Sequence, residues 1–234
     1  MRPIGFSTGA LAPGDVPRAL AMLRGGRATA VELSALRLAE LAPFAAILPT
    51  LDVTGFTYVS VHAPSRFARE DEARVADTLA AAIPRGWPIV LHPDTLHDPA
   101  AWRQFGRQIA IENMDRRKPT GRTVRELGRV FEALPEASFC FDVGHAHQVD
   151  RTMTDAFFLL RELGARLGHL HVSEVTSAGR HDPLSRSAVA AFQKIAAWVP
   201  SGVPLILEAP AGLADLEDHM RLAAEALDRA DSAA

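Results

Sequence analysis

Histidine or carboxylate side chains follow six successive apolar runs of this sequence, each at the point where the run ends. Both residue types bind transition metals, and both act as general acids and bases. If the runs are parallel strands of one closed sheet, their carboxyl ends form one rim, where these side chains converge. Imidazoles and carboxylates that are buried together need a compensating cation, for which Zn²⁺, Mn²⁺ or Fe²⁺ fits better than Ca²⁺. The residues are His62, His92, Glu112, Asp142 with His145, His171 and Glu208, in VSVHAP, IVLHPD, IAIENMD, FCFDVGHAH, HLHVSE and LILEAP.

Short runs rich in Val, Ile, Leu and Phe alternate along the chain with stretches of helical periodicity. This alternation predicts parallel strands that are buried on both faces and connected by helices. Eight such strands in 234 residues predict a single (β/α)8 TIM barrel over residues 1–228, with a frayed tail at 229–234. The predicted strands are 4–7, 28–33, 57–62, 89–92, 108–112, 138–142, 167–171 and 204–208, and the predicted helices include 68–83, 120–134, 154–163 and 188–199.

The composition is that of a globular domain, with 48% hydrophobic and 23% charged residues. A net charge of −3 gives the chain no electrostatic attraction to nucleic acid or to an anionic membrane. No glycine-rich phosphate-binding motif follows a strand, which disfavours a nucleotide cofactor. The single cysteine, Cys140, excludes an intrachain disulfide and fits a reducing compartment. We therefore expect a cytoplasmic protein with a small-molecule substrate, no signal peptide and no membrane-spanning segment.

The alternation of side chains along a strand also predicts what lies beneath the rim. If the strand-end ligands point inward, the residues two positions earlier form the next layer of the barrel interior. We expect His169 in this layer to be a hydrogen-bonded interior histidine rather than a ligand. The layer comprises Ala110, Cys140, His169 and Ile206. The remaining histidines are expected on the surface or in loops, and they are His97, His147 and His219.

Further polar residues are predicted near the rim. Glu32 ends the second apolar run, where it either contacts substrate or caps the next turn. Arg180 stands beside His181 in the loop SAGRHDPL and either binds a substrate phosphate or is solvated. The basic residues that follow Asp115 in the sequence DRRK have the same two interpretations.

The motifs IENMD, FDVGHAH, HLHVSE, GRHDPL and LILEAP together resemble the xylose-isomerase-like barrel superfamily. That superfamily contains sugar and sugar-phosphate isomerases and epimerases together with endonuclease IV. In the isomerase and epimerase branch, the resemblance implies one divalent metal ion, held by Glu112, Asp142, His171 and Glu208. It also implies that Glu112 and Glu208 face each other across the substrate and move its proton as base and acid. The leading prediction is therefore a metal-dependent isomerase or epimerase of a small sugar, sugar phosphate or related polyhydroxylated compound.

The endonuclease IV branch gives an alternative prediction, because that branch adds ligands for a cluster of two or three zinc ions. The sequence departs from the endonuclease pattern at Gly179, where that pattern has an aspartate two residues before a histidine. A multi-zinc phosphoesterase would act on a small phosphodiester or on abasic-site DNA. The net charge disfavours DNA, and so does Ser65, where the endonuclease pattern has an aromatic residue. A barrel that binds without turnover is the third alternative. The residues that match the additional ligand positions are His62, His92, His145 and His181.

Overall fold

The strands of the protein close into a barrel in its computed structural model, which describes residues 2–228. All eight barrel strands pair in parallel with their neighbours, and the last strand pairs with the first. This arrangement confirms the predicted (β/α)8 TIM barrel; the predicted frayed tail, 229–234, lies outside the described residues. The barrel strands are β1 (Ile4–Ser7), β2 (Ala30–Ser34), β3 (Tyr58–His62), β4 (Ile89–Leu91), β5 (Ile109–Glu112), β6 (Ser138–Asp142), β7 (Leu167–Val172) and β10 (Leu205–Leu207); β8 (Glu174–Val175) and β9 (His181–Asp182) form a separate antiparallel hairpin.

Helices follow the strands and cover the outside of the barrel. Three of the four predicted helices differ from the predicted bounds. The helix predicted at 68–83 spans Glu72–Ala82, and two others begin elsewhere because of their capping residues. The helix predicted at 120–134 begins at Val124, where Thr123 accepts a hydrogen bond from the Glu126 amide (3.2 Å). The helix predicted at 188–199 begins at Arg186, after the capping residue Ser185, and ends at Gln193. The α-helices are α1 (Thr8–Leu11), α2 (Val16–Leu23), α3 (Leu38–Ile47), α4 (Glu72–Ala82), α5 (Pro99–Trp102), α6 (Val124–Ala133), α7 (Val143–Val149), α8 (Thr154–Leu163), α9 (Arg186–Gln193) and α10 (Leu216–Leu227).

Short 3₁₀ helices adjoin several of these elements. They are Leu48–Thr50, Arg69–Asp71, Pro93–Thr95, Arg103–Gln108, Gly164–Arg166 and Ala196–Trp198. No helix within residues 2–228 is long and apolar enough to cross a membrane.

The apolar residues of the strands divide between two separate regions. Outward-facing residues pack against the helices in one large core, which includes Ile89, Leu91, Ile109, Ile111, Phe139 and Phe141. Inside the barrel, Val90, Ala110 and Cys140 form a small cluster of their own. Ile206 is also fully buried, and its register partner on β7 is His171. The predicted two-residue alternation therefore holds, and it aims the next inward residue of each strand at the C-terminal mouth.

Strands β1 and β2 approach closely at Gly5. A Cβ atom at this position would overlap the carbonyl oxygen of Ala30 on the neighbouring strand. Only a glycine allows this approach, and a larger residue must move the backbone where the barrel closes.

We predict that Gly5→Ala lowers the free energy of unfolding by about 1–3 kcal/mol, because the added methyl group has no space. The control is Gly128→Ala in α6, where a Cβ atom meets nothing within 4 Å. Alanine should raise helix stability there by about 1 kcal/mol. Urea denaturation measures both variants. Equal effects of the two substitutions would contradict the close approach of β1 and β2.

Candidate functional site

A cavity of about 510 Å³ opens at the C-terminal mouth of the barrel. The strands end beneath it, so the residues at their ends become its floor. Six of the residues predicted from the strand ends and the loop after β7 line it, namely His92, Glu112, His145, Arg180, His181 and Glu208. His62, Asp142 and His171 lie deeper and are almost completely buried.

Three carboxylates and one imidazole meet at the centre of this floor. Glu112, Asp142, His171 and Glu208 each contribute a potential ligand atom, and these atoms all lie within 4.8 Å of one another. His171 stands between two of the carboxylates, because its Nδ1 is 3.3 Å from Oε1 of Glu112 and 3.3 Å from Oε1 of Glu208. Asp142, the fourth member of this group, lies beside His171 because the register of β6 and β7 pairs these two residues.

The chemistry of this central group fits a divalent cation. Oδ2 of Asp142 and Oε2 of Glu208 are buried without a hydrogen-bond partner among the described residues. A buried carboxylate oxygen that lacks a donor is costly unless a cation faces it. The pKa of Glu208 is raised to about 8: burial raises it most, His171 lowers it, and the carboxylate of Glu112 raises it. Nitrogen and oxygen donors in this proportion suit Zn²⁺, Mn²⁺ or Fe²⁺.

A second group, comprising His62, His92 and Glu112, shares one member with the central group. Oε2 of Glu112 lies 3.4 Å from Nε2 of His62 and 3.0 Å from Nε2 of His92. Neither imidazole is aligned to form a hydrogen bond with that oxygen. Nδ1 of His62 donates to the carbonyl oxygen of Ala63 (2.7 Å), so Nε2 is the atom that faces the floor.

His92 is constrained by Lys118, which sequence analysis considered only as a phosphate-binding or solvated residue. Nζ of Lys118 lies 2.8 Å from Oδ2 of Asp94 and 3.3 Å from Nδ1 of His92. An ammonium group only donates, so Nδ1 of His92 accepts and the ring proton of the neutral imidazole is on Nε2. Burial lowers the pKa of His92, and Lys118 lowers it further although Glu112 raises it. In this tautomer Nε2 has no lone pair for a metal ion.

His145 and His181 lie next to each other in the cavity lining, with their ring centroids 5.4 Å apart. Nδ1 of His145 is 2.9 Å from the carbonyl oxygen of Asn113, and the His145 amide donates to Oδ1 of Asp142 (2.6 Å), which caps α7. Burial lowers the pKa of His145, but Asp142 and Glu112 outweigh burial and raise the pKa to about 10. Nδ1 of His181, in β9, lies 3.3 Å from Oε2 of Glu208.

Glu32 does not lie where the sequence predicted it. It is the third residue of β2, is fully buried, and does not line the cavity. Its Oε2 accepts from Oγ of Ser60 (2.9 Å) and from Nε2 of His171 (3.1 Å). Burial raises the pKa of Glu32, but His171 and His169 lower it by more, so the carboxylate is ionised. Glu32 therefore caps no turn; it is buried against Nε2 of His171, and its carboxylate forms a further group of close potential ligands with His62, His171 and Glu208.

Two histidines also differ from their predicted surroundings. His169 is completely buried, as predicted, but neither of its ring nitrogens has a hydrogen bond within the described part of the chain. It joins Cys140 and His171 in a further group of close potential ligands. His147 is not a surface residue, because α7 turns it inward against Phe192. His97 and His219 are half-buried.

Sequence analysis also missed the side chain that fixes the position of Asp142. Nδ2 of Asn113 donates to the Asp142 carbonyl (2.8 Å), and Oδ1 of Asn113 accepts from the Asp142 amide (2.8 Å). This amide pair ties the end of β5 to the end of β6. The asparagine that directly follows Glu112 in IENMD was the available signal.

The chain belongs to the xylose isomerase-like TIM barrel family. The family model matches residues 97–230, which is more than half of the chain. This confirms the resemblance inferred from the strand-end motifs. None of the curated proteins compared with the chain matches it significantly.

Solved structures of several enzymes share the fold. Endonuclease IV from Thermus thermophilus is 17% identical with a TM-score of 0.60, and the alignment covers 94% of this chain and 97% of that one. The E. coli 3-keto-D-glucoside 4-epimerase YcjR is 15% identical with a TM-score of 0.56, over 97% of this chain and 99% of that one. A xylose isomerase domain protein from Alicyclobacillus acidocaldarius is 14% identical with a TM-score of 0.58, over 95% and 99%. At these identities the likeness establishes the fold alone.

We predict that Asp142→Asn lowers the affinity for a divalent metal by more than about 100-fold while the barrel stays folded. The asparagine oxygen can still accept from the His145 amide, so the cap of α7 survives and only the charge is lost. Asp98→Asn is the control, because Asp98 caps α5 by accepting from the Ala100 amide outside the site. Chelator competition gives the affinity, and circular dichroism checks the fold. Unchanged affinity in Asp142→Asn would remove Asp142 from the metal site.

We predict that Glu32→Gln weakens metal binding by about 10–100-fold, because the carboxylate beside Nε2 of His171 fixes that ring and increases its basicity. The control is Glu72→Gln. Glu72 is also a buried carboxylate, but it accepts from the amides of His97 and Asp98 and from the indole of Trp102, away from the cavity. Glu72→Gln should lower stability and leave metal affinity unchanged. If both variants lose stability and neither loses affinity, Glu32 is only a structural residue.

Proposed function

We propose that this protein is a divalent-metal-dependent isomerase or epimerase of a small sugar, sugar phosphate or related polyhydroxylated compound. The observation that carries the proposal is that Glu112 and Glu208 both lie 3.3 Å from Nδ1 of His171, at the floor of one cavity. Two carboxylates that share a metal site can act as base and acid on one substrate. A cavity of about 510 Å³ is in the usual range for small ligands.

The residues that would hold the metal are Glu112, Asp142, His171 and Glu208. A bound divalent cation polarises a carbonyl group and the neighbouring hydroxyl group, which acidifies the proton on the carbon between them. Oε2 of Glu208 is the atom we assign to that proton, because Glu208 lines the cavity and this oxygen has no hydrogen-bond partner within residues 2–228. Glu112 then supplies or removes the proton on the opposite side. His181, 3.3 Å from Oε2 of Glu208, limits the directions in which that carboxylate can turn.

The second candidate function is an endonuclease IV-like multi-zinc phosphoesterase. The group of His62, His92 and Glu112 favours it, since a carboxylate shared between two ions suits phosphoryl transfer. The hydrogen bond from Lys118 to His92 argues against a second ion at this position. Action on duplex DNA is disfavoured by the net charge of −3. Metal content per chain after purification without chelators distinguishes the two: one ion supports the isomerase, and two or three zinc ions support the phosphoesterase.

We expect Glu208→Gln to lower kcat by at least about 100-fold and to change substrate affinity little, because an amide can still contact a metal but cannot accept a proton. Isomerase and epimerase assays over a panel of sugars and sugar phosphates give kcat, and equilibrium binding gives the affinity. Glu174→Gln on β8 is the control, since Glu174 accepts from the Ser185 amide and does not line the cavity. Normal turnover by Glu208→Gln would exclude Glu208 as the proton-transfer group.

For the double variant His62→Ala, His92→Ala, we expect an unchanged metal count and weaker substrate binding. With a single ion at the central group, the two imidazoles serve to position the substrate. Metal analysis is combined with assays of sugar isomerisation and phosphodiester cleavage. Loss of one ion per chain together with loss of esterase activity would reject the isomerase and establish the phosphoesterase.

A further inference from the structure

The outer wall of the cavity is basic, although its floor is acidic. Four basic side chains line it, from the loops that follow β3, β5 and β8. Among the described residues, the one carboxylate that lines the cavity away from the floor is Asp115, which is buried and paired with Arg117. A substrate whose one end lies on the metal site therefore has its other end among cations. The basic residues are Arg66, Arg117, Lys118 and Arg180.

Arg117 is held in place by three hydrogen bonds. Its Nε and Nη2 donate to Oδ2 of Asp115 (3.0 and 2.5 Å), and its Nη1 donates to the carbonyl oxygen of Ala178 (2.9 Å). Asp115 is 1% exposed, so the carboxylate that orients the arginine is itself fixed. A guanidinium group has five N–H bonds, and two of those of Arg117 remain available. Such support from a buried side chain is typical of a functional arginine rather than of a solvated one.

Gly179 provides the space for this guanidinium group. Its backbone has φ +75°, and any Cβ atom there would overlap Cζ of Arg117. Gly179 is also the position at which the endonuclease pattern has an aspartate. In this chain the same volume contains a cation that is aimed along the cavity wall.

Arg66 is the basic side chain of this wall that no carboxylate neutralises. It is exposed and forms no hydrogen bond or ion pair with any described residue. Lys118, in contrast, pairs with Asp94, and Arg180 pairs with Asp182 through two bonds of 2.7 and 2.9 Å. Ser65 precedes Arg66 and Lys118 follows Arg117 in the sequence. These two residues are in contact, because Nζ of Lys118 donates to the carbonyl oxygen of Ser65 (3.3 Å). Arg66 and Arg117 therefore lie on two loops that are joined to each other.

We propose that Arg66 and Arg117 bind an anionic group of the substrate, a phosphate or a carboxylate, at the outer end of the cavity. The substrate class is then a sugar phosphate or a sugar acid rather than a neutral sugar. Arginine suits this role because its planar group donates two parallel hydrogen bonds to either anion. This inference depends on the proposed function in one respect, namely that this cavity is the substrate site.

The test measures binding of inorganic phosphate and of acetate to the metal-loaded protein by calorimetry at constant ionic strength. We expect Arg66→Gln and Arg117→Gln each to weaken binding of the preferred anion by about tenfold or more, as expected for loss of a charged hydrogen-bond donor. Arg129→Gln, an exposed arginine of α6 that does not line the cavity, should change it less than about twofold. The anion that binds with the higher affinity identifies the substrate group as a phosphate or a carboxylate.

Two results would overturn the proposal. The first is equal anion binding by the wild type and both variants, which would show that the anion binds to the metal alone. The second is the absence of saturable binding for both anions. Arg66 makes no contact that folding requires, so its variant remains informative if Arg117→Gln unfolds. Metal content is measured on the same samples. Arginine-dependent anion binding in a protein that holds no metal would reject the proposed function and leave the anion site standing.

Discussion

An excess of buried carboxylate charge is the constraint on which the rest of this site depends. His171 has a carboxylate on each side, with Glu32 on Nε2 and both Glu112 and Glu208 on Nδ1. The pKa values of His62, His145 and His171 are all raised, but three imidazolium groups cannot neutralise four carboxylates once Asp142 is included. The raised pKa of Glu208 reflects this excess, because burial and the neighbouring carboxylates favour protonation of this side chain. A divalent cation compensates this excess and keeps all four ionised.

The depth of each group in the barrel decides its role. Inward positions recur every two residues, so each strand presents one side chain at the mouth and another one layer below. Glu112 and His171 lie in the upper layer, where they reach the cavity or its floor. Glu32 and His169 lie one layer lower and are fully buried, and neither lines the cavity. Glu32, in the lower layer, would therefore control the orientation and basicity of the His171 imidazole. Glu112 and Glu208, at the cavity floor, would instead face the metal and the substrate.

The fold and the upper layer could be predicted from sequence because both depend on local periodicity. An apolar run that ends in His or Glu is visible in a few residues, and the order of eight runs predicts the barrel. The role of Glu32 could not be predicted, because it depends on the contact between Glu32 on β2 and His171 on β7. These two residues are 139 positions apart in the sequence. The same holds for Lys118 on His92, because a loop-to-loop contact leaves no periodic signal. His147 was misplaced because α7 begins within the strand-end motif itself and buries that face of the helix.

The space beside residue 179 could hold either an acidic or a basic side chain, with opposite consequences for the proposed metal centre. An aspartate at position 179 would add a ligand and favour a further cation, as the endonuclease pattern implies. In this chain a glycine at that position admits the guanidinium group of Arg117, which repels a third cation and attracts an anion. The lysine on His92 acts in the same direction at the second position, by placing the imidazole proton where a metal would bind. If the proposed function is correct, two cationic side chains limit the centre to its four proposed ligands, and they leave the outer cavity free for the charged end of a small substrate.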